Sequence, residues 1–180
     1  MKLNIKVYHI NLLKKVWGDI GQRFIKTFKP DAISAVVVNF FSNERGVHYP
    51  SLNTMPNKGL MLMGSKGIGK TINFLIYQRI QARYGELGMR IVSAQHTETN
   101  VKIRGEQYIQ DLIDCKELMI DDIGTESQTF KDFGTDRNLV HDILMQRYIS
   151  FQRGETITHA TTNLNVDLLK KFYDARLIDR

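Results

Sequence analysis

The sequence predicts an α/β protein with a mostly parallel central sheet in a three-layer arrangement, preceded by a helical N-terminal segment. Three observations predict it. From Gly59 onward, short apolar runs alternate with longer stretches of helical period. A glycine-rich loop, Gly64–Thr71, separates the first apolar run from the first helical stretch. Before Gly59 the pattern differs, with apolar residues at helical spacing and lysines between them. Strands alternating with helices need crossover connections, which make the strands parallel and put helices on both faces of the sheet.

Residues 3–28 read as an amphipathic helix: Ile10, Leu13, Val16 or Trp17, Ile20, Phe24 and Phe28 recur every three to four positions. Lys29–Pro30 ends it, because proline restricts its predecessor and breaks the hydrogen-bond ladder. Asp31 is a cap for a second helix reaching Phe41, while the β-branched Val36–Val38 keeps a strand open as the alternative. Ser42–Lys58, with two prolines and several Asn, Ser and Gly residues, is a connector. The expected division is therefore residues 1–57, basic and mainly helical, and residues 58–180, the α/β core.

Within the core, Leu60–Met63 is a strand and Thr71–Tyr84 a helix with Ile72, Leu75, Ile76 and Ile80 inward. Arg90–Ser93 is a strand, Thr99–Ile113 a helix, and Glu117–Asp121 a strand. Arg137–Arg153 is a long helix burying Leu139, Val140, Ile143, Leu144, Tyr148 and Phe151. Thr156–Thr161 is the last strand, followed by a short helix over Val166–Tyr173.

Composition narrows the function classes. With 180 residues, 42% hydrophobic and 24% charged, the chain is an ordinary globular domain with a short extension. Its longest apolar runs, Ala35–Val38 and Leu60–Met63, fall far below the roughly 18 residues of a membrane span. The start of the chain lacks the continuous apolar stretch of a signal peptide. One cysteine, Cys115, forms no internal disulfide, and a reducing cytoplasm fits best. Residues 1–58 hold nine Lys/Arg against three acids, so the whole net charge of +6 lies there. That asymmetry suits a polyanion or an acidic partner, or a solvated face that aids solubility.

The chemistry lies in Gly64-Ser65-Lys66-Gly67-Ile68-Gly69-Lys70-Thr71, which fits the phosphate-binding pattern G-x-x-x-x-G-K-[ST] between a strand and a helix. Glycines let the backbone approach phosphate oxygens, and successive amides plus the helix N-terminus form an anion nest. Lys70 would reach the β- and γ-phosphates, and the Thr71 hydroxyl would ligate Mg²⁺. About fifty residues after Lys70, Leu118–Asp122 supplies an apolar strand ending in carboxylates. Asp121 would act on Mg²⁺ through water; Asp122 is either the general base or a surface carboxylate at a strand end.

The loop, the run Asp121-Asp122-Ile123-Gly124-Thr125-Glu126, the pair Arg147-Tyr148, the stretch Thr161-Thr162-Asn163-Leu164 and the ending Arg176-Leu177-Ile178-Asp179-Arg180 together resemble the DnaC/IstB-like branch of the AAA+ ATPases. The resemblance covers roughly residues 58–180. It implies a P-loop NTPase fold of AAA+ type, ATP and Mg²⁺ as cofactors, and ATP hydrolysis. It also implies a role in loading or remodelling a protein partner on DNA in replication, with transposition help of the IstB type as the alternative. Asn163 matches the polar sensor that orients water against the γ-phosphate; capping the next helix is its other reading. Arg176 and Arg180 match the region that projects an arginine finger into a neighbouring subunit, with Arg180 aligned to the family's D-R ending. The implied partners are a replicative helicase or a transposase-like protein bound by the N-terminal segment, single-stranded DNA, and further copies of the chain in an ATP-dependent homo-oligomer.

Two departures from the family bear on activity. Asp122 stands where many AAA+ proteins have a glutamate, one methylene longer. A final core strand and a lid would ordinarily follow Arg180, so the core is expected to lack them. These features motivate a second class of function, a non-hydrolysing module switched by ATP. A small-molecule kinase would need a lid segment, and a GTPase an N-K-x-D motif; neither is present. The five histidines have no metal-ligand spacing. Lys102 and Arg104, between the second and third strands, are a weak candidate contact for single-stranded DNA or a solvated helix face.

Overall fold

The computed structural model describes residues 17–22, 34, 37, 58–83, 88–126, 130–132 and 135–178. Two compact units divide the chain, one of residues 1–58 and 68–88, the other of residues 59–67 and 89–180.

The second unit holds the sheet. Its strands are β1 (Met61–Met63), β2 (Arg90–Ser93), β3 (Glu117–Asp121) and β6 (Ile157–Thr162), in the order β1-β6-β3-β2 and all parallel. The last strand in sequence therefore lies between the first and third. Its register sets Ala160 beside Met61 on one side and beside Ile120 on the other. A hairpin of β4 (Phe130–Asp132) and β5 (Thr135–Arg137), not foreseen from the sequence, separates β3 from the next helix. Three-residue strands give periodicity too little length to register.

β3 is buried throughout its middle: Leu118 and Met119 are fully covered and Ile120 nearly so. Such a continuous apolar run is the mark of a strand covered on both faces. Leu118, Ile120 and Ala160 join a core with α2 (Ala94–Arg104), α3 (Gln107–Asp114) and α4 (Leu139–Gln152), through Val101, Tyr108, Leu112, Leu139, Val140 and Ile143. The helix expected over Thr99–Ile113 is thus two helices. It begins at Ala94, directly after β2, and breaks at Gly105, whose φ of 73° closes α2 with its N–H on the Val101 carbonyl. Two short helices, α5 (Val166–Phe172) and α6 (Ala175–Ile178), complete the unit.

The inner strand β6 is mostly polar, and each of its polar side chains finds a partner. His159, wholly buried, accepts the Leu60 N–H at Nδ1 (3.0 Å), which leaves its proton on Nε2, 3.2 Å from Glu117 Oε1. Thr158 accepts from Arg147 Nε at 2.8 Å. Arg147, fully buried on α4, donates from Nη1 to the carbonyls of Leu112, Ile113 and Cys115 and from Nη2 to that of Ile157. It thereby caps the C-terminal end of α3, where a cation meets unpaired carbonyls. Burial lowers the Arg147 guanidinium from its ordinary value and raises the Cys115 thiol.

In the first unit, α1 (Lys70–Arg83) buries Ile72, Phe74, Ile76, Tyr77 and Ile80 together with Asn73 and Gln81, while Leu75 is half-buried. Of the helix expected over residues 3–28, residues 17–22 are described and are helical, with Trp17 and Ile20 buried. Ile10, Leu13, Val16, Phe24 and Phe28 lie outside the described residues. Ser34 and Val37 are helical and buried, which favours the helix over the strand at Val37. The connector, Lys58 apart, also lies outside the described residues. Among the described residues no helix is long and apolar enough to cross a membrane.

Candidate functional site

The parallel sheet sends the carboxyl ends of β1, β3 and β6 to one edge, the place where open α/β sheets bind ligands. Gly64 follows β1 directly, and its N–H donates to the Thr162 carbonyl at the end of β6 (3.2 Å). The start of the glycine-rich loop is thus fastened to the neighbouring strand. Gly64, Gly67 and Gly69 all have positive φ, at 150°, 87° and 90°. Ser65, Lys66 and Gly67 are exposed, and a Cβ built on Gly67 meets nothing within 4 Å. The motif passes from one compact unit to the other between Gly67 and Ile68.

Beyond that bond lies the second half of the motif. Ile68, Gly69 and Thr71 are half-buried and Lys70 is buried, with α1 starting at Lys70. The Gly69 carbonyl accepts the Asn73 backbone N–H at 3.4 Å and the Asn73 side-chain amide at 2.7 Å.

The carboxylates sit where β3 ends. Asp121 Oδ1 accepts the Thr161 hydroxyl at 2.6 Å, and the same hydroxyl oxygen accepts the Asp122 backbone N–H at 2.9 Å. One buried threonine of β6 therefore fixes both aspartates. Asp122 has φ 55°, a left-handed conformation that aspartate tolerates better than most residues. Its carbonyl accepts the Thr125 hydroxyl (2.7 Å), and its Oδ1 accepts the Asn163 side-chain amide at 3.0 Å. Asn163 lies one residue past β6 and is exposed. The capping role that was its alternative falls to Asn165, whose Oδ1 accepts the Leu168 N–H of α5 (2.9 Å).

The turn after Asp122 is clamped from below. The Gly124 N–H is shared between Glu126 Oε2 (2.7 Å) and the Tyr173 hydroxyl oxygen (3.1 Å), and the Tyr173 hydroxyl donates to Glu126 Oε1. Glu126 and Tyr173 are both buried. Burial, then the adjacent Glu126, pushes the Tyr173 phenol well above its ordinary value.

Of the residues singled out in the sequence, the structure brings Gly64, Asp121, Asp122 and Asn163 to one edge of the sheet. Arg176 falls on α6, and Arg180 lies outside the described residues. Lys102 pairs with Glu98 one turn back (2.8 Å), and Arg104 lies over the Tyr108 ring. Arg147, part of the family pattern, is a buried structural residue. Sequence reasoning missed Thr161, Asn73, Glu126 and Tyr173 as supports of the site.

The donor set suits a nucleoside phosphate with Mg²⁺. No cluster of three or more His, Cys, Asp or Glu side chains stands ready for a metal among the described residues. Mg²⁺ does not ask for one, since it keeps several waters and binds through one or two carboxylates plus phosphate oxygens. Asp121, held by Thr161, fits that requirement. The positive φ of Gly64 and Gly67, with open space at Gly67, fits the close approach of a phosphate.

No protein-family model and no curated protein matches the chain. Among solved structures it is similar to DnaI, with TM-score 0.59 and 20% identity over 86% of this chain and 84% of that one. It is similar to the DnaC helicase loader, with TM-score 0.59 and 20% identity over 85% of this chain and 88% of that one. A third likeness is to AMPPCP-bound DnaA from Aquifex aeolicus, with TM-score 0.50 and 16% identity over 68% of this chain and 37% of that one. The chain shares their fold, built on a parallel central sheet with helices.

Proposed function

We propose that the chain is an ATP-binding and ATP-hydrolysing protein of the DnaC-like AAA+ type, which couples ATP to loading or remodelling a protein partner on DNA in replication. The observation that carries this reading is the Asn163–Asp122 hydrogen bond at the sheet edge where Gly64 and Asp121 also lie. A sensor and a base in contact, beside a phosphate-binding loop, are what positioning a water against a γ-phosphate requires. The shared fold with the DnaC helicase loader supports the wider role.

In this reading the amides of Gly64, Ser65, Lys66, Gly67, Ile68 and Gly69 cradle the phosphates, and Lys70 binds the β- and γ-oxygens. Thr71 and Asp121 hold Mg²⁺, which when bound neutralises charge on the phosphate oxygens. Thr161 keeps Asp121 oriented. Asp122 accepts the proton of the attacking water, and Asn163 fixes the carboxylate that does so. Arg176 or Arg180 serves a neighbouring subunit's site in an ATP-dependent homo-oligomer. Residues 1–57 act as the arm that docks on a replicative helicase, with single-stranded DNA as a further ligand and the cytoplasm as the compartment; residues 58–180 are the ATPase core.

A second reading, an ATP-switched module without turnover, is favoured by the left-handed backbone of the short Asp122 side chain. ATP turnover measured against protein concentration, with and without single-stranded DNA, separates the two. A rate per subunit that rises with both, falls about 100-fold or more in Asp122→Asn, and falls in an Arg176→Ala/Arg180→Ala double variant with ATP affinity retained supports the first. ATP binding with no turnover at any concentration supports the second.

A further inference from the structure

The chain's single tryptophan is almost wholly buried, at 2% exposure, although it belongs to the basic segment that precedes the core. An indole N–H only donates, and a buried one needs an acceptor. Trp17 Nε1 finds it in Asn73 Oδ1 at 2.8 Å. Asn73, with no exposure at all, then spends its amide nitrogen on the Gly69 carbonyl at 2.7 Å. All three residues belong to the same compact unit.

The order of these bonds matters. An asparagine amide offers oxygen at one end and N–H at the other, and the indole N–H can donate only to the oxygen end. Trp17 therefore decides that Asn73 turns its N–H toward Gly69. Gly69 is the last glycine of the loop, and its carbonyl receives only a long 3.4 Å bond from the Asn73 backbone N–H. The side-chain bond is the shorter hold on that carbonyl. Because the peptide is planar and trans, fixing the Gly69 C=O also fixes the Lys70 N–H, which points the opposite way, out of the N-terminal end of α1.

We propose that Trp17 is a positioning residue for the phosphate-binding loop: through Asn73 it holds the Gly69–Lys70 peptide so that the Lys70 N–H faces a nucleotide phosphate. The inference rests on reading Gly64–Thr71 as a nucleotide loop. Its consequence is energetic coupling between the N-terminal segment and the nucleotide, and such coupling is reciprocal. Whatever shifts residues 17–22 changes phosphate affinity, and phosphate binding changes the surroundings of Trp17. The same relay gives a docking arm a route to the nucleotide that needs no contact between partner and ligand.

The experiment uses the full chain with MgATP and MgADP, read by calorimetry and by tryptophan emission. A saturable change in Trp17 emission with the calorimetric Kd is expected. Trp17→Phe keeps the ring's bulk and removes the donor; it is expected to weaken nucleotide binding about 5- to 20-fold. Asn73→Ala should do the same, and the double variant should be no worse than Asn73→Ala alone. Binding at wild-type affinity by Trp17→Phe, additive losses in the double variant, or nucleotide binding with unchanged Trp17 emission overturns the relay while leaving the nucleotide loop standing. Absence of any nucleotide binding by the wild-type chain overturns the nucleotide loop itself, and the relay with it. Should a variant fail to fold, the emission titration of the wild-type chain decides alone.

Discussion

Thr161 and Asp121, forty residues apart, meet through a 2.6 Å hydrogen bond at the adjoining ends of two parallel strands. The same threonine oxygen accepts the Asp122 N–H, so one hydroxyl sets both the carboxylate assigned to the metal and the backbone of the assigned base. Thr161→Val keeps the shape and removes both bonds. ATP turnover is expected to drop about 10- to 100-fold, as for other groups that orient a metal ligand. Affinity for ATP without Mg²⁺ should hardly change. Steady-state turnover alongside metal-free nucleotide titration checks both halves.

Gly124 holds φ 87°, and a Cβ there would lie 2.4 Å from Leu164 Cδ1 and 3.3 Å from its Cγ. Gly124→Ala therefore combines backbone strain with a clash against a half-buried side chain. We expect a loss of about 1–3 kcal/mol, seen as a lower urea midpoint. Since the turn also carries Asp122, turnover at low temperature should fall as well. A variant as stable as the parent would contradict the assigned geometry.

Arg147 is a buried cation whose described partners are four carbonyls, the Thr158 hydroxyl and the Cys115 sulfur, with no carboxylate among them. Replacing it by methionine fills the stem's volume and leaves the carbonyls of Leu112, Ile113, Cys115 and Ile157 without this donor. The expected cost is about 3 kcal/mol or more, measured by chemical denaturation. Nucleotide affinity of the folded fraction should stay near that of the parent, because none of the described Arg147 hydrogen bonds goes to the glycine-rich loop or to the two aspartates.

The Tyr173 phenol, raised by burial and by Glu126, keeps its proton in the folded chain at a pH where the unfolded chain has released it. Its contribution to stability is complete below the ordinary phenol value near pH 10 and declines as pH rises above it, by up to about 1.4 kcal/mol per pH unit. Urea midpoints measured from about pH 8 to pH 11 should fall steeply for the parent. In Tyr173→Phe the absolute stability is lower, and the alkaline slope is shallower by that one proton. Equal slopes would show that Tyr173 ionises freely.

The glycine-rich loop, the strand ends and the alternation of elements were legible because each is a local pattern. A glycine-rich loop is contiguous, β3 announces itself by three consecutive apolar residues, Leu118–Ile120, and Gly69 and Gly105 act on their own backbones. The helix break at Gly105 was within reach, since glycine before a polar turn is a stop signal. What the sequence concealed lies at contacts between residues far apart: Thr161 with Asp121, Tyr173 with Glu126, Trp17 with Asn73. Arg147 looked like part of a family signature, and only its burial revealed a cap for α3.

By itself, then, the order of residues determined the class of fold, the glycine-rich run Gly64–Thr71 and the pair of carboxylates at the end of β3. Local backbone preferences and hydrophobic period suffice for those, as each acts within a few residues. Tertiary structure decided which strand lies beside which, and with it which polar groups support the site. Threading β6 between β1 and β3 brings Thr161 and Asn163 to the aspartates, a consequence of register between segments forty residues apart. No pattern within either segment encodes that pairing, because it rests on the parallel register of the two strands and on partners that the polar side chains of β6 meet only in the folded chain.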